Sequence, residues 1–159
     1  MAKSSAQDQA VAGQCPCGAC KIELQQMPSV RFYCHCTICQ SVYPSGFGDA
    51  TLMLASKVSV LTPDAIAYTQ HMKKGGLQRG TCRNCDHPVL AHLDSPIMPK
   101  LAFVPSAIIP DQSDKPQSAR HIFYGTRAAD VQDNLPKTHG DAASMMVFTP
   151  SVLKVVFGG

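Results

Sequence analysis

A chain of 159 residues is the size of one domain and can bury roughly 70% of the surface its unfolded form exposes. Hydrophobic residues at 45% against 16% charged exclude a disordered chain. Fourteen Lys+Arg against 11 Asp+Glu leave a net charge of +3 with no basic run, which argues against a nucleic-acid or polybasic membrane surface.

Residues 1–12 read as a flexible N-terminal segment, and residues 13–159 as a single domain. The polar opening lacks the apolar core of a secretory signal, so the expected location is the cytoplasm, where thiols stay reduced. Cys15, Cys17 and Cys20 then form C-x-C-x-x-C. Lys21-Ile22-Glu23-Leu24 alternates polar and apolar residues, as a half-buried strand should. Val30 to Cys34 predicts another strand, and Cys34, Cys36 and Cys39 repeat the C-x-C-x-x-C spacing across a predicted short helix at Thr37 to Val42. Further strands are predicted at Ala50 to Leu54, Lys57 to Leu61, Ile66 to Thr69, Leu77 to Arg79, Val89 to Leu93, Lys100 to Val104 and Ile122 to Tyr124. Gly75-Gly76 marks a turn or hairpin just before the C-x-x-C of Cys82 and Cys85. Two polar loops follow, at Asp111 to Ser118 and Lys137 to Asp141. The segment 142–159 is predicted as a final strand or helix packed on the sheet; the alternative is an apolar arm for self-association in a homodimer. Its apolar run is interrupted by Pro150 and Lys154 and falls short of the ~20 residues of a membrane span. Short strands separated by frequent turn signals predict an all-β, mainly antiparallel fold.

The eight cysteines carry the chemistry. Three sulfurs within six residues are badly placed to bridge one another, but they can converge on one ion. Zn²⁺ takes thiolates at ~2.3 Å in tetrahedral surroundings, so a closed site needs four of them. The Cys82/Cys85 pair therefore has to recruit two sulfurs from an upstream cluster. Eight thiols allow either two closed four-thiolate sites, or one closed site beside a three-thiolate site with an open position. Spacing alone does not choose between them.

Cys15-Pro16-Cys17-Gly18, Cys34-His35-Cys36-Thr37-Ile38-Cys39 and Cys82-Arg83-Asn84-Cys85, in that order, resemble the motifs of the glutathione-dependent formaldehyde-activating family, which includes centromere protein V. The resemblance runs from about Gly13 to Pro136 and takes in Arg120-His121-Ile122-Phe123 and Asp133-Asn134-Leu135-Pro136. It implies a β-tent-like zinc-binding fold. It further implies that Cys15, Cys17, Cys82 and Cys85 surround a structural zinc, while Cys34, Cys36 and Cys39 hold a catalytic one. The implied activity is that of a carbon–sulfur lyase or synthase on a small thiol adduct, joining formaldehyde and glutathione into S-(hydroxymethyl)glutathione. A non-enzymatic zinc module that binds a protein partner is the competing expectation. The chain departs from the family at Asp86, where glycine is frequent, at Gly46, which comes late, and at Ala128-Ala129, where a tryptophan is usual.

Other candidates are weaker. His35 lies between two expected ligands, yet in an extended stretch its side chain points away from them. His121 could line a pocket, and His71, His87, His92 and His139 have no ligand spacing. Cys20 reads as a buried thiol. Arg31, Lys73, Lys74 and Arg79 could receive substrate carboxylates, although isolated basic residues are usually solvated.

Overall fold

The computed structural model describes residues 9–111 and 114–158. Of the segment read as an N-terminal tail, residues 1–8 lie outside these, and Val11 and Ala12 already belong to the first strand. A three-stranded antiparallel sheet is made of β1 (Val11–Gln14), β2 (Lys21–Leu24) and β5 (Val58–Val60), in that order. A seven-stranded sheet has β3 (Val30–Cys34), β4 (Gly48–Leu54), β6 (Ile66–Gln70), β7 (Gln78–Cys82), β8 (Pro88–Leu93), β9 (Leu101–Pro105) and β10 (His121–Ile122). Its order is β10-β3-β4-β9-β8-β7-β6, antiparallel except where β10 runs parallel to β3. Two helices, α1 (Thr37–Val42) and α2 (Asp141–Phe157), complete the elements used here. The all-β, mainly antiparallel expectation holds.

Alternation decides which way each strand faces. On β2, Lys21 and Glu23 are exposed while Ile22 and Leu24 are fully buried. On the central strands both faces are covered. Ala50 and Leu52 of β4 join one core with Val30, Phe32, Leu101 and Phe148, while Met53 joins the other with Ile22, Leu24, Ala102 and Val104. Thr51 is buried between them and satisfies its hydroxyl by donating to the Val104 carbonyl at 2.9 Å.

The first core contains Cys15, Cys20 and Cys82, and the second contains Cys34 and Cys39. Each group of thiols is thus anchored in its own apolar cluster.

One local expectation is corrected and one is decided between its alternatives. The strand predicted over Ile122 to Tyr124 stops at Ile122, because Phe123 takes a left-handed backbone (φ 54°) and a helical turn begins at Tyr124. The closing segment is a helix, not a strand. Asp141 in its first turn complements the helix dipole, and Phe148 anchors it, with its ring centroid 4.6 Å from that of Phe32.

Candidate metal centres

The first centre is assembled from two distant turns. The connection between β1 and β2 folds back on itself, with the Gly18 N–H donating to the Cys15 carbonyl and the Cys15 N–H to the Cys20 carbonyl. The turn between β7 and β8 closes with the Asp86 N–H on the Cys82 carbonyl. Asp86 sits at φ 58°, the left-handed region glycine enters freely and Asp or Asn enters at tolerable cost. That explains how the chain dispenses with glycine here.

The turns bring the sulfurs of Cys15, Cys17, Cys82 and Cys85 to within 4.8 Å of one another. The Cys15–Cys17 and Cys17–Cys82 sulfur separations are 3.5 and 3.7 Å. Four thiolates around one Zn²⁺ at ~2.3 Å stand about 3.8 Å apart, so the donor set fits that ion. Backbone N–H groups of Cys20 and Asn84 donate to the Cys15 and Cys82 sulfurs at 3.3 and 3.4 Å. Burial opposes ionisation of Cys82, but the N–H groups of Cys85 and Asn84 outweigh it and bring the thiol down to about 6. Cys20 lies beside this group and outside it. Burial, then the neighbouring Cys82 and Cys15, push its thiol up to about 12, and it donates to the Ala65 carbonyl at 3.2 Å.

The second centre is local. Cys34 ends β3, Cys36 caps α1 by accepting the Cys39 N–H at 3.4 Å, and Cys39 lies on the first turn of α1. Their three sulfurs also lie within 4.8 Å of one another. The neighbouring Cys34 and then Cys39 drive the Cys36 thiol far below its ordinary value, while Cys36 and then Cys39 push Cys34 up. Gly48, across the β3–β4 pair, leaves the space they need. A Cβ there would stand 3.2 Å from the Cys39 sulfur and 3.4 Å from the Tyr43 ring. The three sulfurs could hold one Zn²⁺ and supply one donor fewer than a closed tetrahedral site needs.

Behind the trio runs a buried relay. His35, flanked by Cys34 and Cys36, turns its ring away from the sulfurs and bonds through Nε2 to His121 Nδ1 at 2.8 Å. His121 Nε2 then meets Asp133 at 2.8 Å. Both imidazoles are 1% exposed or less. Lys137, first, and His121 hold the Asp133 carboxyl down at about 2, so it is ionised and can orient both rings. Burial, followed by the charges of His121 and Arg127, lowers His35 to about 4, so it is neutral near pH 7. His35 stacks on Phe47, and Gln40 and Thr126 side chains donate to its carbonyl. The relay fixes the peptide that carries two of the three sulfurs.

The other candidates scatter. Arg31 is engaged bidentately by Asp49 at 2.8 Å, and Lys73 and Lys74 are exposed between β6 and β7. His92 stacks on Tyr68, His139 meets the edge of Tyr124, and His87 bonds the Pro88 carbonyl. None of these histidines joins either sulfur group. Asp133 entered the sequence reading only within the family-like Asp133–Pro136 segment; nothing local marks it as the anchor of the histidine pair, twelve positions beyond His121.

Comparison with known proteins agrees with this arrangement. The profile of a family described as "Glutathione-dependent formaldehyde-activating enzyme" matches residues 10–126, more than half of the chain. That span contains all seven clustered cysteines and His121, and ends before Asp133. A crystal structure of a Rhodobacter sphaeroides protein, solved as a structural-genomics target, is similar with a TM-score of 0.53 and 19% identity. The similarity covers 80% of this chain and 99% of that one, and speaks for the fold. Curated proteins give no match.

Proposed function

The chain belongs to the glutathione-dependent formaldehyde-activating enzyme family, and from that premise we propose that it is a zinc-dependent carbon–sulfur lyase or synthase acting on a small thiol adduct. The expected pair is formaldehyde and glutathione, giving S-(hydroxymethyl)glutathione. The observation that carries this reading is the contrast in donor number: four converged sulfurs in one place, three in the other. Cys15, Cys17, Cys82 and Cys85 would hold an architectural zinc, and Cys34, Cys36 and Cys39 a second zinc accessible to reactants. When bound, that second ion supplies a Lewis acid for an aldehyde oxygen or a resting place for a thiolate.

The reaction itself is simple. A substrate thiolate attacks the carbonyl carbon, a C–S bond forms, and the π pair moves to oxygen, which takes a proton from solvent. The lyase direction reverses each change. The chain's task is to keep nucleophile and electrophile in contact and oriented. For this the His35–His121–Asp133 relay and the α1 cap hold the sulfur trio rigid, while Gly48 keeps its flank clear. Eight free thiols suit a reducing compartment such as the cytoplasm.

Exchange NMR on ¹³C-formaldehyde with glutathione tests the proposal. The protein should speed exchange into the adduct above the buffer rate, and Cys36→Ala should abolish the gain while remaining folded. Exchange at the buffer rate with zinc-replete protein would sink the reading.

A further inference from the structure

The seven-stranded sheet ends differently on its two sides. At one end β10 is two residues long, and its outer side is closed by a bridge from His121 to Lys137. At the other, β6 runs for five residues in unbroken register with β7, and no described strand pairs with its outer side. Sheet edges are commonly blunted by a charge, a proline, a bulge or a very short strand, and Ile66–Gln70 has none of these. The register decides which main-chain groups are free. The Arg83 N–H donates to the Ala65 carbonyl, so Ala65, Ala67 and Thr69 turn their groups toward β7, while Ile66, Tyr68 and Gln70 turn theirs outward. The Ile66 N–H is taken by the Pro63 carbonyl. The N–H and C=O of Tyr68 and Gln70 have no partner among the described residues, and Tyr68, Thr69 and Gln70 are all exposed. The Tyr68 ring does not shield the edge: it lies over Gly80 of β7 and stacks on His92 of β8.

Charge is placed around the strand in one order. Asp64 precedes it, Lys73 and Lys74 follow it, and all three are exposed. None of them is in an ion pair among the described residues. Arg83, near Asp64, donates its Nε–H to the Asp64 carbonyl. An acid before and bases after make the edge complementary to itself when reversed. With a twofold axis at Thr69, an antiparallel second copy would set each Asp64 toward the other copy's Lys73 and Lys74. Tyr68 would exchange main-chain hydrogen bonds with the partner's Gln70 on both sides of the axis, using all the free groups of these residues. A parallel pairing would instead set like charges side by side.

We propose that the outer edge of β6 is a self-association surface, through which two copies join their seven-stranded sheets into one. The trio at the end of β3 lies near the opposite edge of each sheet, clear of the joint. The inference stands whichever metal or substrate the trio takes. The test is sedimentation equilibrium of wild type, Thr69→Lys, Thr69→Glu and an equimolar mixture of the two variants, with amide hydrogen exchange at Tyr68 and Gln70. So narrow a joint belongs to the small, transient class of interfaces, so the wild-type mass should climb from 17.0 kDa toward twice that between about 10 µM and 1 mM. The Tyr68 and Gln70 amides should exchange more slowly as it does. Either Thr69 variant sets like charges directly opposite each other and should weaken association about tenfold, with its melting temperature unchanged. Mixing the two variants should restore the dimer, which a folding defect could not do. A mass of 17.0 kDa throughout overturns the proposal and leaves the edge to a strand of another protein. A dimer that survives in both variants, or amide exchange indifferent to concentration, also overturns it and assigns association to another surface, such as the exposed Met146, Leu153 and Phe157 of α2.

Discussion

The two sulfur groups differ in how far the chain must travel to make them. The quartet joins Cys15 and Cys17 to Cys82 and Cys85, residues in separate turns that meet only when both sheets are assembled. The trio spans Cys34 to Cys39 and is organised by one strand end and one helical turn. An ion in the quartet therefore ties distant parts of the fold together, whereas an ion in the trio adds little to a geometry its neighbours already impose. The lesson is that the same C-x-C-x-x-C spacing builds a group shared with a remote turn in one place and a group made within one short segment in the other.

The largest expected effect tests that division. Structural zinc contributes about 10–16 kcal/mol in small zinc-binding peptides, comparable with a whole domain's stability. Cys82→Ser or Cys85→Ser should give insoluble or unfolded protein, while Cys36→Ser stays soluble and melts cooperatively with one zinc fewer by elemental analysis. Next comes Phe148, which buries its ring against Phe32 and Phe103 on the trio's side of the sheet. Phe148→Ala should cost about 3–5 kcal/mol in denaturant titrations. Because the loss falls in the second core, zinc at the trio should exchange faster while zinc at the quartet does not.

Finer still is Gly48→Ala, whose methyl would press on the Cys39 sulfur. It should weaken zinc retention at the trio about tenfold in chelator competition and leave the melting temperature within a few degrees, reflecting a local packing cost of about 1 kcal/mol. Equal zinc loss from both centres would erase the distinction. The smallest effect is on pH dependence. Asp133 is depressed to about 2 in the folded state, so its stabilising contribution is present above the ordinary carboxyl value of about 4 and is lost as pH falls from there toward 2. Asp133→Asn should flatten the melting temperature against pH in that window.

Much of this was legible from the chain. The seven clustered thiols announce themselves because metal knuckles need fixed short spacings, and β2 and β3 because alternation survives in a half-buried strand. β1 escaped notice since Val11-Ala12-Gly13-Gln14 has a single β-branched residue and a glycine, and owes its state to pairing with β2. The segment 142–159 was ambiguous because Pro150 and the β-branched Val147, Val152, Val155 and Val156 argue against helix, whereas burial of Phe148 and Ser144 imposes one. Arg79 was indistinguishable from a solvated arginine, although on β7 it is 9% exposed. Its place between β6 and β8 follows from strand pairing, which no local pattern encodes.

The distance between the two halves of the quartet has a consequence for biosynthesis. Chains emerge from the N-terminus at about 5–20 residues per second, so Cys85 follows Cys17 by roughly 3–14 s. For about the last two-thirds of that interval the trio is already complete in sequence, while the upstream half of the quartet offers two sulfurs and must wait. If both groups take zinc as proposed, delivery to the nascent polypeptide has a built-in order, with the trio able to load first and the quartet sealing last.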